Sequence, residues 1–222
     1  MKQLLFIFSL TPFLFLFSCD DDSNGPNDCL TGSGSTITET RTVDDFAGID
    51  AEIVGNIYLT QGSPQSLTIT THPNVMDELE TEVQGDVLHI GTERCMSDIE
   101  TLDIFITIPD IESVTFAGVG NIESENDWVL DNLGIVFSGV GNAYLNGSCD
   151  NFSYTLAGVG DLEAFDFITA NSSINISGNG NVKITTTNQL NIVIAGNGNV
   201  SYRGDPDITS SISGNGNIID AN

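Results

Sequence analysis

The sequence predicts an all-β protein: a right-handed parallel β-helix preceded by a non-repeating, β-rich region that caps its N-terminal end. Two observations predict this fold. A phrase of the form Gly-x-Gly-Asn/Asp occurs six times between residues 118 and 217, at spacings of 18 to 21 residues. Apolar and polar residues alternate on both sides of each phrase. A period of about 20 residues is typical of a solenoid, and period-two alternation is typical of half-buried strands.

The recurring phrase supplies the corners of the predicted coils. Glycine allows positive φ and close approach of two backbones, so it suits a tight corner between two strands. Asn at the fourth position tolerates turn conformations, and stacked Asn side chains can bond to one another as a ladder, which Asp161 breaks once. The predicted corner residues are Gly118, Gly120, Asn121, Gly139, Gly141, Asn142, Gly158, Gly160, Asp161, Gly178, Gly180, Asn181, Gly196, Gly198, Asn199, Gly214, Gly216 and Asn217.

Apolar residues at fixed offsets from the first glycine predict the core. Parallel strands lie about 4.8 Å apart, so equivalent residues of successive coils stack, and right-handed connections dominate parallel sheets. The row two residues before the first glycine is Phe116, Phe137, Leu156, Ile176, Ile194 and Ile212. The row four before it is Val114, Ile135, Tyr154, Ile174, Ile192 and Ser210, and the row four after it is Ile122, Ala143, Leu162, Val182, Val200 and Ile218.

The region 36–112 precedes the repeats of 113–222 and reads as their cap. Residues 46–61 resemble a degenerate first copy, in which Gly55 and Asn56 match the third and fourth positions. Residues 62–112 lack the repeat, and we expect them to cover the exposed N-terminal edge of the stack. Their predicted elements are a strand at 66–70, helical turns at 73–80, a hairpin turning at 84–86 and a strand at 102–109, after an entry strand at 36–43.

The first residues predict export and lipid attachment. Residues 1–18 read as a lipoprotein signal peptide, with Lys2 before an apolar run too short to span a bilayer. The run ends at Cys19, the predicted site of the lipid anchor; the rival interpretation is an ordinary secretory signal with Cys19 free or in a disulfide. Residues 19–35 read as a flexible acidic tether. We therefore expect an outer-membrane lipoprotein exposed at the cell surface, with a periplasm-facing protein as the alternative.

Three further cysteines remain if Cys19 is lipidated. They are Cys29, Cys95 and Cys149, and an oxidising compartment permits one bridge among them with one thiol left over. The sequence does not determine the pairing. No Cys-x-x-Cys motif or Cys/His cluster occurs, so nothing predicts a zinc site.

The residue types and their spacing favour a binding protein over an enzyme. The formal net charge of −26 disfavours nucleic acid and anionic lipid headgroups. We expect no catalytic, cofactor or metal residues, with weak surface Ca²⁺ binding by the acidic residues left open. His72 and His89 are isolated outside the repeats. Lys183 and Arg203 are the basic residues of the repeat region, and no matching carboxylate pair is predicted beside them.

Four features of the sequence resemble a known family. They are the phrases Phe46-Ala47-Gly48-Ile49 and Leu79-Glu80-Thr81-Glu82-Val83, the Gly55-Asn56 copy and the serial Gly-Val-Gly-Asn phrases. Together they resemble the family called putative auto-transporter adhesin, head GIN domain, over roughly residues 40–220. The resemblance implies a parallel β-helix on a secreted or lipid-anchored protein, common in Bacteroidetes. It implies no catalytic residues.

Two functional hypotheses follow. The first is a non-enzymatic cell-envelope lipoprotein whose β-helix presents a polar, acidic surface for adhesion to an unidentified protein or glycan. The alternative is a carbohydrate-binding or carbohydrate-processing envelope protein, in which Lys183 and Arg203 would act. Self-association through the edge of the C-terminal coil is a further expectation, because an unpaired edge accepts another strand.

Overall fold

The computed structural model describes residues 29–222 and is nearly all β, with 60% strand and 3% helix. It forms a parallel β-solenoid of about five turns, which confirms the predicted fold class. The predicted signal peptide, Cys19 and tether residues 19–28 lie outside the described residues, and the handedness stays a prediction. The elements are β1 (Ile37–Arg41), β2 (Gly48–Ala51), β3 (Asn56–Gln61), β4 (Ser66–Thr71), α1 (Pro73–Glu78), β5 (Glu80–Gln84), β6 (Val87–Gly91), β7 (Leu102–Ile108), β8 (Ser113–Phe116), β9 (Ile122–Ser124), β10 (Trp128–Phe137), β11 (Ala143–Tyr144), β12 (Gly147–Leu156), β13 (Leu162–Ile176), β14 (Val182–Ile194), β15 (Val200–Arg203), β16 (Asp207–Ile212) and β17 (Ile218–Asp220).

Each central coil has three faces. The entry face consists of the strand segments that lead into the Gly-x-Gly-Asn corner, and the exit face consists of those that leave it. A side face joins the two, at residues 128–130, 147–149, 167–169 and 185–186. The longest strands, β13 and β14, run through more than one face. Their burial alternates along each face and breaks at the bends, so the interior side chains of all three faces meet in one core.

The predicted apolar rows stack in this core. On the entry face Ile135 pairs with Val114 and Tyr154, and Phe137 pairs with Phe116 and Leu156. The Phe116 and Phe137 rings are stacked, with centroids 5.1 Å apart. Apart from the last coil, the members of all three rows are at most 1% exposed, which confirms the core prediction. Each fully buried apolar side chain stabilises the fold by roughly 1.5–3 kcal/mol.

The degenerate first copy lies in register with the repeats. β2 pairs in parallel with β8, and β3 pairs in parallel with β9, so residues 48–61 form a coil directly beneath the Gly118 coil. Gly55 and Asn56 are at its corner, where Val54 bridges Val119. This copy therefore belongs to the stack despite its altered sequence.

The cap adds a further rung that the sequence pattern does not reveal. β6 and β7 pair in parallel with β2 and β3 on the side away from the repeats, so the order of these coils in space differs from their order in the chain. Antiparallel strands then close both faces. β5 covers β6 on the entry face, while β4 and then β1 cover β7 on the exit face.

One disulfide fastens the start of the described chain to this cap. Cys29 is bonded to Cys95, and Leu30 pairs with residues 95–97 through its backbone. Cys149 is the free cysteine among the described residues and is buried. No helix within residues 29–222 is long and apolar enough to cross a membrane.

The C-terminal coil has no strand on its outer side within the described residues. β16 pairs with β14 alone, and β17 pairs with β15 alone. Ile208 and Ile212 occupy interior positions but are 40% and 44% exposed, whereas Leu190 and Ile194, one coil earlier, are fully buried. The lack of a covering coil thus exposes side chains that every earlier coil buries.

The interior holds two features that the sequence analysis did not anticipate. Trp128, which lies outside the repeated rows, is the first residue of β10 and is 1% exposed in the core. Thr169, Ser172 and Thr186 form a buried cluster of hydroxyl groups that bond to one another, with Oγ–Oγ distances of 2.5 to 3.1 Å. Mutual hydrogen bonding lets these polar groups lie inside an apolar core without an unsatisfied donor.

Candidate interaction face

The residues predicted as corners of the coils do lie at corners in the structure. Their glycines pack against the backbone of the neighbouring coil. A Cβ atom on Gly160 would lie 1.5 Å from the backbone oxygen of Gly141, and one on Gly118 would lie 1.7 Å from that of Ile53. Gly120 and Gly141 also have φ of +148° and +144°, which L side chains rarely adopt. The glycine positions of these corners therefore leave no room for a Cβ, because the backbones of successive coils touch there.

The fourth residue of each corner phrase bonds to the next coil. The side-chain oxygen of Asn56 accepts a hydrogen bond from the backbone N–H of Asn121 at 3.0 Å, and this contact repeats in each of the following coils. Asp161 was expected to interrupt the ladder of side chains. Among the described residues that ladder runs from Asn217 through Asn199 and Asn181 to Asp161 at 3.0 to 3.2 Å and ends there, because a carboxylate has no N–H to donate to Asn142. The contacts to the backbone continue across it, since the Asp161 carboxylate accepts from the backbone N–H of Asn181 at 2.6 Å.

The second residue of each phrase lies outward on the corner. Val119, Val140 and Val159 are about half exposed, and the next three coils carry Asn179, Asn197 and Asn215 at this position. These three amides bond in series at 2.7 and 2.8 Å. Since side chains and backbone pair with the neighbouring coils, the corner phrase is chiefly structural.

The entry face is free of charge across the central repeats. Its segments hold only Ser, Thr, Asn, Gly, Ala, Leu, Ile, Val, Phe and Tyr at residues 113–117, 133–138, 152–157, 172–177, 190–195 and 208–213. Charge appears on this face at its two ends: in the cap, where Asp50 and His89 are neighbours in β2 and β6, and at Asp207, the first residue of β16. In a chain of formal charge −26, an uncharged surface of this length is the feature that sets the face apart.

A groove runs across the entry face of the central coils. Its volume is about 360 Å³, and small outward residues, Gly134, Ser153 and Ser173, leave room for it. Asn132, Asn151 and Asn171 line the groove as well. Their amides bond in series at 3.1 and 3.0 Å, and Asn188 extends this ladder at 2.8 Å. The groove therefore presents hydroxyl and amide groups beside a surface without charge.

The sequence carried a signal for this groove that its analysis missed. Asn132, Asn151 and Asn171 each stand seven residues before the first glycine of a corner phrase. The same offset in three successive copies indicates a stacked ladder, just as the apolar offsets indicate core rows. The hydroxyl groups of Ser153 and Ser173 have no hydrogen-bond partner within residues 29–222, so they remain available to a ligand.

Each of the two basic residues of the repeats contacts a side chain of another coil. Lys183 Nζ lies 2.8 Å from the Glu163 carboxylate, which stands at the same offset one coil earlier and was overlooked as its partner. The Arg203 guanidinium lies 4.0 Å from the centroid of the Phe165 ring. Each cation thus has a structural contact, an ion pair and a cation–π contact respectively.

Acidic residues gather on the cap. Of the 31 Asp and Glu residues in the chain, 16 lie in the 77 residues of 36–112 and 11 in the 110 residues of 113–222. A cup of about 250 Å³ is lined by acidic side chains and His89, whose ring nitrogen lies 3.3 Å from the Asp50 carboxylate; its carboxylates are Asp50, Glu52, Glu80, Glu82 and Glu93. His72, by contrast, is buried at the start of α1, with its ring 2.8 Å from the backbone oxygen of Gly34. Within residues 29–222, no three His, Cys, Asp or Glu residues are arranged to hold a metal ion.

The remaining reactive side chain, Cys149, is screened from solvent. Its thiol donates to the backbone oxygen of Asn151 at 3.2 Å, and burial raises its pKa to about 11. Nucleophilic chemistry needs the thiolate, which such a pKa disfavours at neutral pH.

The sequence matches the family model described as putative auto-transporter adhesin, head GIN domain, over residues 45–206. The chain belongs to this family. The resemblance inferred from the residues is thereby confirmed, and the head GIN domain spans the cap from just before β2 through most of the repeats. No curated protein matches the chain.

Solved structures share the architecture of this head GIN domain. A putative adhesin from Bacteroides fragilis NCTC 9343 is 26% identical with a TM-score of 0.70, covering 85% of this chain and 98% of its own. A putative adhesin from Parabacteroides merdae ATCC 43184 is 19% identical with a TM-score of 0.53, covering 87% of this chain and 100% of its own. A putative lipid binding protein from Parabacteroides distasonis ATCC 8503 is 21% identical with a TM-score of 0.55, with the same coverages. The last two similarities concern the fold alone.

Proposed function

We propose that this protein is a non-enzymatic adhesin head of the bacterial cell envelope, anchored through a lipid on Cys19, whose entry face binds a neutral glycan. The family and the Bacteroides fragilis relative support an adhesin-type role. The observation that carries the proposed site is the uncharged entry face, which extends over six segments of a chain with a formal charge of −26.

The chemistry of the groove favours sugar hydroxyl groups. Asn amides donate and accept hydrogen bonds, and Ser hydroxyls do both as well, so the groove of Gly134, Ser153 and Ser173 can match a polyol. A basic protein partner would be attracted to the carboxylates of the cap and the corners, and an anionic polymer would be repelled by the chain as a whole. An uncharged polysaccharide avoids both effects.

The proposed anchor places the groove away from the membrane. A lipid on Cys19 would hold the chain at its N-terminal end, and the Cys29–Cys95 disulfide ties the end of the tether to the cap. The repeats then extend from the cap with the entry face open along their side. Residues 19–28 span at most about 35 Å when extended, so the tether limits how far the head can move from the surface.

The test is a glycan-binding measurement on the exported chain carrying Cys19→Ser, which cannot be lipidated. Ser153→Glu places a carboxylate and added bulk in the centre of the groove. It should weaken binding to a neutral glycan identified on an array by at least about tenfold, equivalent to about 1.4 kcal/mol.

The matched control is Ser148→Glu, which adds the same side chain on the outward side of the side face. It should leave the affinity unchanged. Loss of binding in both variants, binding of acidic glycans only, or no binding to any neutral glycan would each contradict the proposed ligand class. Binding only to basic proteins, with sensitivity to changes in the cap, would move the site to the acidic cup.

The two occupied cations argue for this binding role over the carbohydrate-processing alternative. Lys183 and Arg203 would serve a reaction only if they were released from Glu163 and from the Phe165 ring. If either Lys183→Met or Arg203→Met abolished turnover of a polysaccharide by the purified protein, the non-enzymatic proposal would be wrong.

A further inference from the structure

We infer that the C-terminal edge of the solenoid pairs with a second copy of this chain, by antiparallel pairing of β16 with the partner's β16 about a two-fold axis at Ser210. This inference is independent of the proposed glycan site, which lies on the outward side of the coils.

The outer edge of β16 is an open template for strand pairing. In a parallel sheet each strand bonds to a neighbour on both sides, and β16 has one neighbour, β14, within residues 29–222. All six residues of β16 are exposed, including Ile208 and Ile212 at interior positions. Unpaired backbone groups and exposed apolar side chains together mark an edge that gains free energy from being covered.

Most of this edge lacks the features that keep other edges monomeric. β16 carries one charge, Asp207 at its first residue directly after Pro206, and residues 208–212 contain neither a charge nor a proline. The edge strands at the opposite end do carry charge: Glu39 and Arg41 lie in β1, and Glu80 and Glu82 lie in β5. Charged side chains on an edge strand disfavour pairing with another strand. Of the two ends, the C-terminal one, whose β16 is uncharged over residues 208–212, is therefore better suited to pair with another strand.

The sequence of β16 is symmetric for its own antiparallel partner. An axis at Ser210 places Ile208 opposite the partner's Ile212 and Thr209 opposite the partner's Ser211. Side chains on the same face are then matched, apolar with apolar and hydroxyl with hydroxyl. Ser210 occupies the position that holds Ile192 and Ile174 in earlier coils. On the two-fold axis it would face the partner's Ser210, and its small side chain leaves room for this contact.

Charge also favours a symmetric pair over a filament. Residues 208–212 carry no charge, so no like charges of this segment would meet across the two-fold axis. At longer distance, two chains of charge −26 repel each other. Head-to-tail stacking would instead bring β16 against the charged strand β5 on the entry face and β17 against the charged strand β1 on the exit face. A two-fold contact uses the same edge twice and closes after two copies. Because it involves little surface, we expect a weak dimer with a Kd on the order of 10 µM, which added salt strengthens by screening.

The experiment measures sedimentation velocity of the exported chain carrying Cys19→Ser, from about 1 to 500 µM, a range that brackets the expected dissociation constant. The parent chain should change from monomer to dimer with concentration. Adding Ser210→Lys places two ammonium groups together at the axis and should leave only monomer. The control Ser113→Lys, on the outward side of the entry face, should dimerise like the parent.

A cross-linking variant tests the geometry directly. Ser210→Cys should form an intermolecular disulfide under mild oxidation, whereas Ser113→Cys should not, and buried Cys149 supplies no competing thiol. A strictly monomeric parent, dimers that persist in Ser210→Lys, filaments longer than two copies, or equal cross-linking of the two cysteine variants would each overturn the inference. Dimer formation without glycan binding would leave the inference intact and refute only the proposed ligand.

Discussion

The two ends of the solenoid differ in whether their edge strands are covered. At the N-terminal end, β4 and β5 run antiparallel to the coils and cover their edges, β1 pairs with the outer side of β4, and a disulfide fastens the cap. At the C-terminal end, β16 and β17 continue the parallel stack to the last described coil with nothing over them. Ile212 is 44% exposed there, while its counterpart Phe116, beside the cap, is fully buried.

This difference shows how stability is distributed along a solenoid. A coil contributes most when neighbours cover it on both sides, because only then do its interior side chains leave water. The central coils satisfy this condition and the last coil does not. The same substitution should therefore cost much more in the middle of the stack than at its C-terminal end, which the following pairs of variants test.

The largest contrast is expected at the corner glycines. Gly160→Ala would place a Cβ atom 1.5 Å from the backbone oxygen of Gly141, between two covered coils that cannot separate. We expect a loss of more than about 3 kcal/mol in the free energy of unfolding, measured by urea denaturation. Gly216→Ala has a similar clash at 2.0 Å with Gly198, but the last coil can shift outward, and the loss should stay below about 1 kcal/mol. Equal losses would show that the last coil is as rigid as the centre.

The second contrast concerns the apolar row before the corner. Leu156→Ala removes a fully buried side chain between Phe137 and Ile176 and should cost about 2–5 kcal/mol. Ile212→Ala occupies the same row at the open end and should cost less than about 1 kcal/mol, because its side chain is already partly in water. A large loss for Ile212→Ala in dilute protein would mean that something covers the edge.

The third test removes the fastening of the cap. Cys95→Ser opens the disulfide to Cys29, whose sequence separation is 66, and should cost about 2–4 kcal/mol. Hydrogen exchange should increase in β1, β4 and α1 and stay unchanged in β16, since the bond constrains the cap alone. Reduction of the parent protein serves as the control and should reproduce the loss. An even increase along the whole chain would contradict a locally acting bond.

The smallest effect is expected at two tyrosines on the interior side. The hydroxyl group of Tyr154 is buried without a hydrogen-bond partner within residues 29–222, and burial raises its pKa. Tyr154→Phe removes this unsatisfied group and should stabilise the protein by about 1 kcal/mol. Tyr202, in the less covered coil of β15, is partly exposed, so Tyr202→Phe should stay within about 0.5 kcal/mol of the parent in thermal unfolding. A destabilised Tyr154→Phe would indicate a partner, such as a buried water.

Much of the solenoid could be predicted because each coil repeats one physical pattern. The glycine corners and the three apolar rows are fixed by backbone contact and burial, which act on every coil at the same offsets. The β6–β7 rung was not predicted because no glycine corner follows β6; residues 92–101, with the disulfide, replace it. The buried position of Trp128 was not predicted, since the side face has no glycine phrase to set its register.

The candidate site was less predictable than the fold. Outward residues such as Ser153 and Asn171 are not constrained by packing, so their pattern varies between coils while the interior pattern persists. The absence of charge on the entry face becomes visible only when the strands are folded onto three faces and each residue is assigned to one of them. The ion pair of Glu163 with Lys183 likewise becomes visible only when adjacent coils are aligned.

The position of the disulfide has a mechanical consequence. If a lipid on Cys19 holds the protein while a ligand pulls on the repeats, tension enters the described chain at Cys29 and passes through the disulfide to Cys95. The strands between them, β1 to β6, lie outside this path, so the edge strand β1 is not peeled from β4 one residue pair at a time. The first contact to resist the pull is β7 against β3, where six parallel residue pairs share the force.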